Sequence, residues 1–407
     1  MNKLIKNTFT VSLLLICGFL FASCFDPIFF EIRNEIPPEE PTVSGVIQHI
    51  VRYTSGGNEY ILCVADGGVR YKRSNNESHG SWDTMGLPFS SLHYDFASDQ
   101  FKGEYPISLA ADNNNIYLAS VKLRTSANGT NEVYEVTIRT ASTINGSWSE
   151  VWSKNTGDST SVFAYNSYSD YINLNFNMFC TNSPKTANRK AYFREGDSTL
   201  YELSGTSKTE VTANNVCMDS NSATKWNSAV SFSGETLFFH TGASDTNETF
   251  TADATKVYYS DDNDLYYSAK AAPEMAPGAT AFARGDFDFS RSATTNYLIR
   301  SIAVCSDCIL LSKGDLRDGY GGISAVDLNA EGVPASDLTS SRTHVDRTIS
   351  PNYLVPLVFN ATPGNNETSS ILYATTAIPT AGNGINVSYK DIGLFAYFPT
   401  RGNWNRE

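Results

Sequence analysis

The strongest constraint in this sequence is a unit that recurs along it. Val69-Arg70-Tyr71-Lys72-Arg73 leads to Gly80-Ser81-Trp82-Asp83, Val133 to Arg139 leads to Gly146-Ser147-Trp148-Ser149, and Gly393 to Phe398 leads to Gly402-Asn403-Trp404-Asn405. Each copy is an alternating β-type run, a polar turn, then glycine, a small polar residue and tryptophan. Weaker copies of the run lie at Thr199 to Leu203, Asp264 to Ser268 and Gly322 to Val326. With Val69, Tyr134, Tyr201, Tyr266, Ser324 and Leu394 as markers, the intervals are 65, 67, 65, 58 and 70 residues. A spacing this regular makes the unit, rather than the whole chain, the thing that must first fold.

Two further apolar runs precede each marker. The second-strand runs are Tyr60 to Ala65, Asn115 to Ser120, Lys190 to Phe193, Lys256 to Ser260, Cys308 to Ser312 and Ser370 to Ala374. First-strand runs begin near Gly45, Tyr105, Tyr171, Asn227, Tyr297 and Tyr353. From Val43 onward helical periodicity is almost absent, and Gly, Asn, Asp and Ser clusters separate the runs. The pattern predicts an all-β fold. A four-stranded sheet with two apolar faces cannot stand alone in water, and copies set side by side around an axis bury those faces against one another. Six units of four antiparallel strands therefore predict a six-bladed β-propeller; five or seven blades, or a pair of sandwich domains, also fit. The units exceed the roughly 40 to 50 residues of common propeller repeats, which predicts insertions at Ser153 to Ser169, Gly242 to Thr255 and Glu331 to Ser350.

Ahead of the repeats stands a different kind of segment. Lys3 and Lys6 precede a mostly apolar run from Val11 to Ala22, too short for the roughly 20 residues of a membrane span and of the length of an export signal. It ends in Phe21-Ala22-Ser23-Cys24, which resembles the lipobox of bacterial lipoproteins, with Phe21 standing where that family most often has leucine. The resemblance implies cleavage before Cys24 and a diacylglyceryl group on its sulfur, and several acyl chains would hold the protein stably on a membrane. Asp26 can cap a short amphipathic helix carrying Ile28, Ile32 and Ile36 on one stripe, and Pro37-Pro38-Glu39-Glu40-Pro41 then forms an extended spacer. The expected organisation is a signal peptide at 1–23, a lipidated segment and tether at 24–42 and the β domain at 43–407. Cys24 followed by Phe-Asp-Pro-Ile-Phe-Phe and Glu-Ile-Arg-Asn-Glu is similar to treponeme-like spirochaetal lipoproteins that carry a propeller-like domain. That likeness implies a cell-envelope location and brings no activity with it.

Charge narrows the partners. The formal net charge of −13 repels phosphate backbones, which argues against nucleic acid, and repels anionic headgroups, so membrane attachment falls to the lipid. No Walker or dinucleotide glycine loop opens a helix. The histidines, at 49, 79, 93, 240 and 344, lack the i, i+4 spacing of a zinc helix. Asp261-Asp262-Asn263-Asp264 and Asp315-Leu316-Arg317-Asp318-Gly319 offer oxygens that Ca²⁺ accepts, yet they sit where tight turns need those residues. No cofactor and no metal is expected. Cys17 leaves with the signal and Cys24 carries lipid, leaving Cys63, Cys180, Cys217, Cys305 and Cys308, an odd number that cannot pair fully. Cys305-Ser306-Asp307-Cys308 has redox-motif spacing but reads as a hairpin turn holding a cross-turn pair or two buried thiols.

The function expected from these features is binding: a lipid-anchored envelope protein that uses one face of the propeller to hold a protein or a glycan. Tyrosine, at 22 residues, together with Asn- and Ser-rich loops, suits such a face. The alternative is a sialidase- or lyase-like glycan-degrading enzyme, which needs carboxylates and arginines converging at the channel mouth; Arg70, Arg124, Arg194 and Arg300 lie on or beside strand runs. The sialidase Asp-box string does not occur, and Ala65-Asp66-Gly67-Gly68 is only a fragment of it. A structural component of an envelope assembly is a third class, marked by a flat apolar outer patch. No catalytic residue is assigned.

Overall fold

The structure is a computed structural model. It describes residues 42–43, 47, 50–65, 67–97, 100–125, 131–155, 178–180, 189–195, 199–211, 216–218, 226–232, 236–241, 249–252, 257–261, 264–267, 288–292, 298–315, 320–335, 342–343, 357–375 and 393–407. The signal, Cys24 and the spacer lie outside the described residues. Among those residues no helix is long and apolar enough to cross a membrane.

The described chain is all-β, with six four-stranded sheets, one three-stranded sheet and a two-stranded ribbon. Sheet 1 holds Ile50–Ser55, Asn58–Ala65, Gly68–Arg73 and Asp83–Thr84; sheet 2 holds Tyr105–Ala111, Ile116–Thr125, Asn131–Ala141 and Ser149–Asn155. Sheet 3 holds Met178–Cys180, Ala191–Glu195, Thr199–Ser204 and Ser207–Glu210. Sheet 4 is the three-stranded one, with Val216–Met218 parallel to a central Thr236–Thr241 and Trp226–Phe232 antiparallel on its other side. Sheet 5 holds Thr249–Ala252, Val257–Asp261, Asp264–Tyr267 and Asp288–Ser292; sheet 6 holds Leu298–Val304, Cys308–Asp315, Tyr320–Asp327 and Arg342–Thr343. Sheet 7 holds Leu357–Asn360, Leu372–Thr375, Leu394–Phe398 and Asn403–Arg406. The ribbon pairs His93–Asp95 with Gln100–Lys102.

Every marker residue of the repeat falls on the third strand of a four-stranded sheet, and each second-strand run overlaps a second strand. The departure is sheet 4, which lies wholly inside the interval between Tyr201 and Tyr266. The run near Asn227 belongs to it, not to the first strand of sheet 5. That strand is Thr249–Ala252, inside the stretch expected to be an insertion, and Arg342–Thr343 likewise interrupts another. The count of large sheets is therefore seven, one more than the repeat markers number.

Alternation decides the packing. In the second strand of sheet 1, Ile61, Cys63 and Ala65 join a core with sheet 7, while Leu62 and Val64 join one with sheet 2. Ile116 and Leu118 of sheet 2 face sheet 1, and Tyr117, Ala119 and Val121 face sheet 3. Leu310 of sheet 6 faces sheet 7, and Ile309 and Leu311 face sheet 5. Successive side chains of a strand point to opposite faces, so a continuous apolar run means both faces are covered. Each leucine, isoleucine or valine among them contributes roughly 1.5–3 kcal/mol by leaving water. The first strands of sheets 1, 2 and 3, the edge strand Trp226–Phe232 of sheet 4 and the first strands of sheets 5, 6 and 7 lie each beside the next.

The recurring tryptophan packs into the seam between its own sheet and a neighbouring one. Trp148 of sheet 2 packs on the core shared with sheet 1, and Trp404 of sheet 7 on the core shared with sheet 6. Trp82 of sheet 1 packs into the core shared with sheet 7. Tyrosine hydroxyls tie neighbours together: Tyr53 donates to the carbonyls of Asn114 (2.8 Å) and Ser142 (2.6 Å) of sheet 2. Tyr117 accepts from the Gly205 amide of sheet 3 at 2.9 Å, and Tyr258 of sheet 5 donates to the Gly332 carbonyl beyond sheet 6's third strand at 2.8 Å. Gly205, at φ +56°, turns the chain in two residues between Ser204 and Ser207, a left-handed conformation that glycine adopts without strain.

Candidate functional site

Three sheets bring their first-to-second strand regions to one place, and two buried arginines meet there. Arg52 lies in the first strand of sheet 1, flanked by Val51 and Tyr53, which both enter the core with sheet 2. Alternation therefore turns Arg52 away from that core, yet it is only 7% exposed. Arg189 stands just before the second strand of sheet 3 and is also 7% exposed. Its Nη1 donates to the backbone carbonyl of Arg52. Its backbone amide donates to Asn113 Oδ1 of sheet 2 at 3.3 Å. The turn that carries Asn113 is fixed by Asp112 Oδ1, which accepts from the amides of Asn114 (2.7 Å) and Asn115 (2.6 Å).

The electrostatics of this place are unusual for a chain with excess acid. Arg52 Nη1 is 3.8 Å from Glu59 Oε1, a carboxylate whose side chain is 29% exposed. Burial, and then the charge of Arg189, lower the pKa of Arg52, with Glu59 opposing them. Cys180, which ends the first strand of sheet 3, is half-buried; burial pushes its thiol up, and Arg189 and then Arg52 pull it back. Arg189 forms no ion pair among the described residues. Two guanidinium groups in a low-dielectric setting favour the company of an anion.

Other charged clusters are closed on themselves. Arg139 grips Glu104 with two parallel bonds, Nη1 to Oε2 at 2.7 Å and Nη2 to Oε1 at 3.0 Å, and Ser120 Oγ donates to the same carboxylate at 2.6 Å. Lys72 Nζ and Trp82 Nε1 both donate to Glu407 Oε2 at 2.6 Å, with the Lys72 and Glu407 side chains fully buried. These satisfy their own charge and hold sheets together.

The residues singled out from the sequence do not converge. Arg70, on the third strand of sheet 1, donates to Thr84 Oγ1 on the fourth strand. Arg124, Arg194 and Arg300 lie on strands of sheets 2, 3 and 6, and their side chains are outside the described set. Asp261 and Asp264 face each other across a hairpin, while residues 262–263 and 316–319 lie outside the described residues, as do His49 and His344. Among the described residues no three His, Cys, Asp or Glu side chains gather as a metal would need. Cys63, Cys180, Cys305 and Cys308 are free thiols. The Cys305–Cys308 segment is a hairpin turn closed by the Cys305 amide donating to the Cys308 carbonyl at 2.8 Å. A bond with Cys305, then burial, push the Cys308 thiol far up, the reverse of a redox-active cysteine. Arg52 and Arg189 escaped the sequence reading because they are 137 residues apart and come from sheets 1 and 3.

No protein-family model matches the chain, and no curated protein matches it. Among solved structures it is similar to a prolyl endopeptidase, at 8% identity and a TM-score of 0.35, over 90% of this chain and 49% of that one. Oligopeptidase B from Leishmania major matches at 10% identity and a TM-score of 0.34, over 90% of this chain and 50% of that one. A thermostable family-43 glycoside hydrolase matches at 9% identity and a TM-score of 0.32, over 90% of this chain and 96% of that one. The chain spans about half the length of the two peptidases. At these values no activity or substrate passes from them to this chain.

Proposed function

We propose that this chain is a lipid-anchored protein of a bacterial cell envelope whose seven sheets are the blades of a β-propeller, and that one face of the ring binds a protein or a glycan. The observation behind the ring is the placement of tryptophan. Trp82 occupies the seam between sheets 7 and 1 as Trp148 and Trp404 occupy seams between consecutive sheets, so the last sheet stands to the first as any sheet stands to its successor. The procession of neighbouring edge strands supports the same geometry, with those strands lining the axis. The Phe21-Ala22-Ser23-Cys24 string and its likeness to spirochaetal lipoproteins support anchoring through Cys24.

Mass spectrometry of the mature protein tests the anchor: a diacylglyceryl-modified Cys24 at the N-terminus is expected, and an unmodified terminus elsewhere overturns it. A glycan array and an envelope pull-down test the binding role, and the same glycans are then followed for cleavage. Retention of an intact glycan or partner is the expected result; turnover would replace binding with the hydrolase reading.

A further inference from the structure

We propose that Arg189 and Arg52 form a binding site for a carboxylate group, either a free small acid or the acid group of a sugar. The inference rests on Arg189 donors that no described residue uses. A guanidinium carries five N–H donors. The only side-chain bond of Arg189 among the described residues goes from Nη1 to the Arg52 carbonyl. Its remaining N–H donors make no bond to any described residue, although the residue is only 7% exposed. A buried guanidinium with open donors, beside a second buried guanidinium, is costly unless an anion completes it.

Shape and position choose the anion. The planar fork of arginine matches the two oxygens of a carboxylate. Glu59 lies 3.8 Å from Arg52, and Arg189 has no ion pair among the described residues. Because the whole chain carries −13, general attraction of anions is absent, and capture depends on these built donors. The site does not require the ring reading: glycan binding that ignores acid groups would leave the propeller standing and remove this site alone.

Titration calorimetry of the full chain in detergent, with sodium glucuronate, sodium acetate, sodium sulfate and glucose at constant ionic strength, tests the proposal. Glucuronate is expected to bind and glucose not to; acetate binding as tightly as glucuronate would identify a free small acid as the source. Arg189→Gln is expected to weaken binding about 10- to 100-fold, the loss of charged hydrogen bonds, whereas exposed Arg73→Gln leaves it unchanged. Equal affinity in Arg189→Gln, equal binding of glucose, or sulfate binding without carboxylate binding would each overturn the site. Should Arg189→Gln lose its β-sheet circular dichroism, Arg189→Lys, which keeps the charge and loses the fork, takes its place; unchanged affinity there overturns the proposal as well.

Discussion

The seam between sheets 7 and 1 and the seam between sheets 1 and 2 use the same tryptophan position for different work. Trp148 donates its Nε1 hydrogen to a backbone carbonyl, that of Gly86, at 2.9 Å, and packs on the apolar core shared by sheets 1 and 2. Trp82 donates to a buried carboxylate that Lys72 also holds, and Lys72 Nζ sits 4.7 Å from the centre of the Phe398 ring. Sheets 1 and 2 follow each other along the chain, so their meeting costs little loop entropy. Sheets 7 and 1 come from distant parts of it. Their seam adds backbone bonds, from the Val43 amide to the Glu407 carbonyl at 2.9 Å and from the Leu394 amide to the Val43 carbonyl at 3.1 Å. Apolar cover is non-directional, whereas a carboxylate shared by two donors demands one particular geometry. We infer that the charged seam fixes which sheet closes on which.

That contrast can be broken in graded steps. Glu407→Ala should cost most, about 3–5 kcal/mol in urea unfolding, because it strands a buried Lys72. The paired change Lys72→Met with Glu407→Leu should recover most of that loss; a double variant as weak as the single one would make the pair a net stabiliser and not a register device. Trp82→Phe, which keeps a ring and deletes the donor to a charge, should cost about 1.5–3 kcal/mol, against about 0.5–1.5 kcal/mol for Trp148→Phe. Equal losses at the two seams would erase the distinction.

Alkaline titration probes the hydroxyl ties. Burial, then Asp112, raise the pKa of Tyr53 from 10 to about 12. The folded protein thus keeps a proton that the unfolded chain gives up near pH 10, so this stabilisation is complete below pH 10 and is lost as the pH rises through about 12. Tyr53→Phe should flatten the fall in Tm over that window, and an unchanged slope would remove Tyr53 from the account. The smallest contrast lies between two buried tyrosines at like positions. Tyr117→Phe forfeits bonds to Asp112 and Gly205 and should cost about 1 kcal/mol. Tyr373, whose buried hydroxyl has no partner among the described residues, should become phenylalanine at no cost or with a slight gain in Tm.

The repeat was legible because three of the third strands, those of sheets 1, 2 and 7, end in a turn that delivers a tryptophan to a seam, and such a residue cannot drift without opening a cavity. Sheet 4 was hidden for the opposite reason. Its strands are not ordered as they run in sequence, one pair is parallel, and no glycine–polar–tryptophan string follows it. Thr249–Ala252 is four residues long and half threonine, too short to separate from a polar loop by alternation. The arginine site was hidden more deeply. Alternation says which face of a strand Arg52 takes, but which end of a distant sheet arrives opposite it is settled only by tertiary packing. Lys72 gave no sign of its burial, since the carboxylate that accepts it stands 335 residues further on.

Because sheets 1, 2 and 7 each lend a tryptophan to a neighbouring sheet, the borders drawn by sequence and those drawn by packing are out of phase there. Deleting one unit would therefore strip cover from a neighbour that was left intact. A shortened or duplicated version of this protein would need its cuts placed behind a tryptophan, inside a unit, for every sheet to keep its lid.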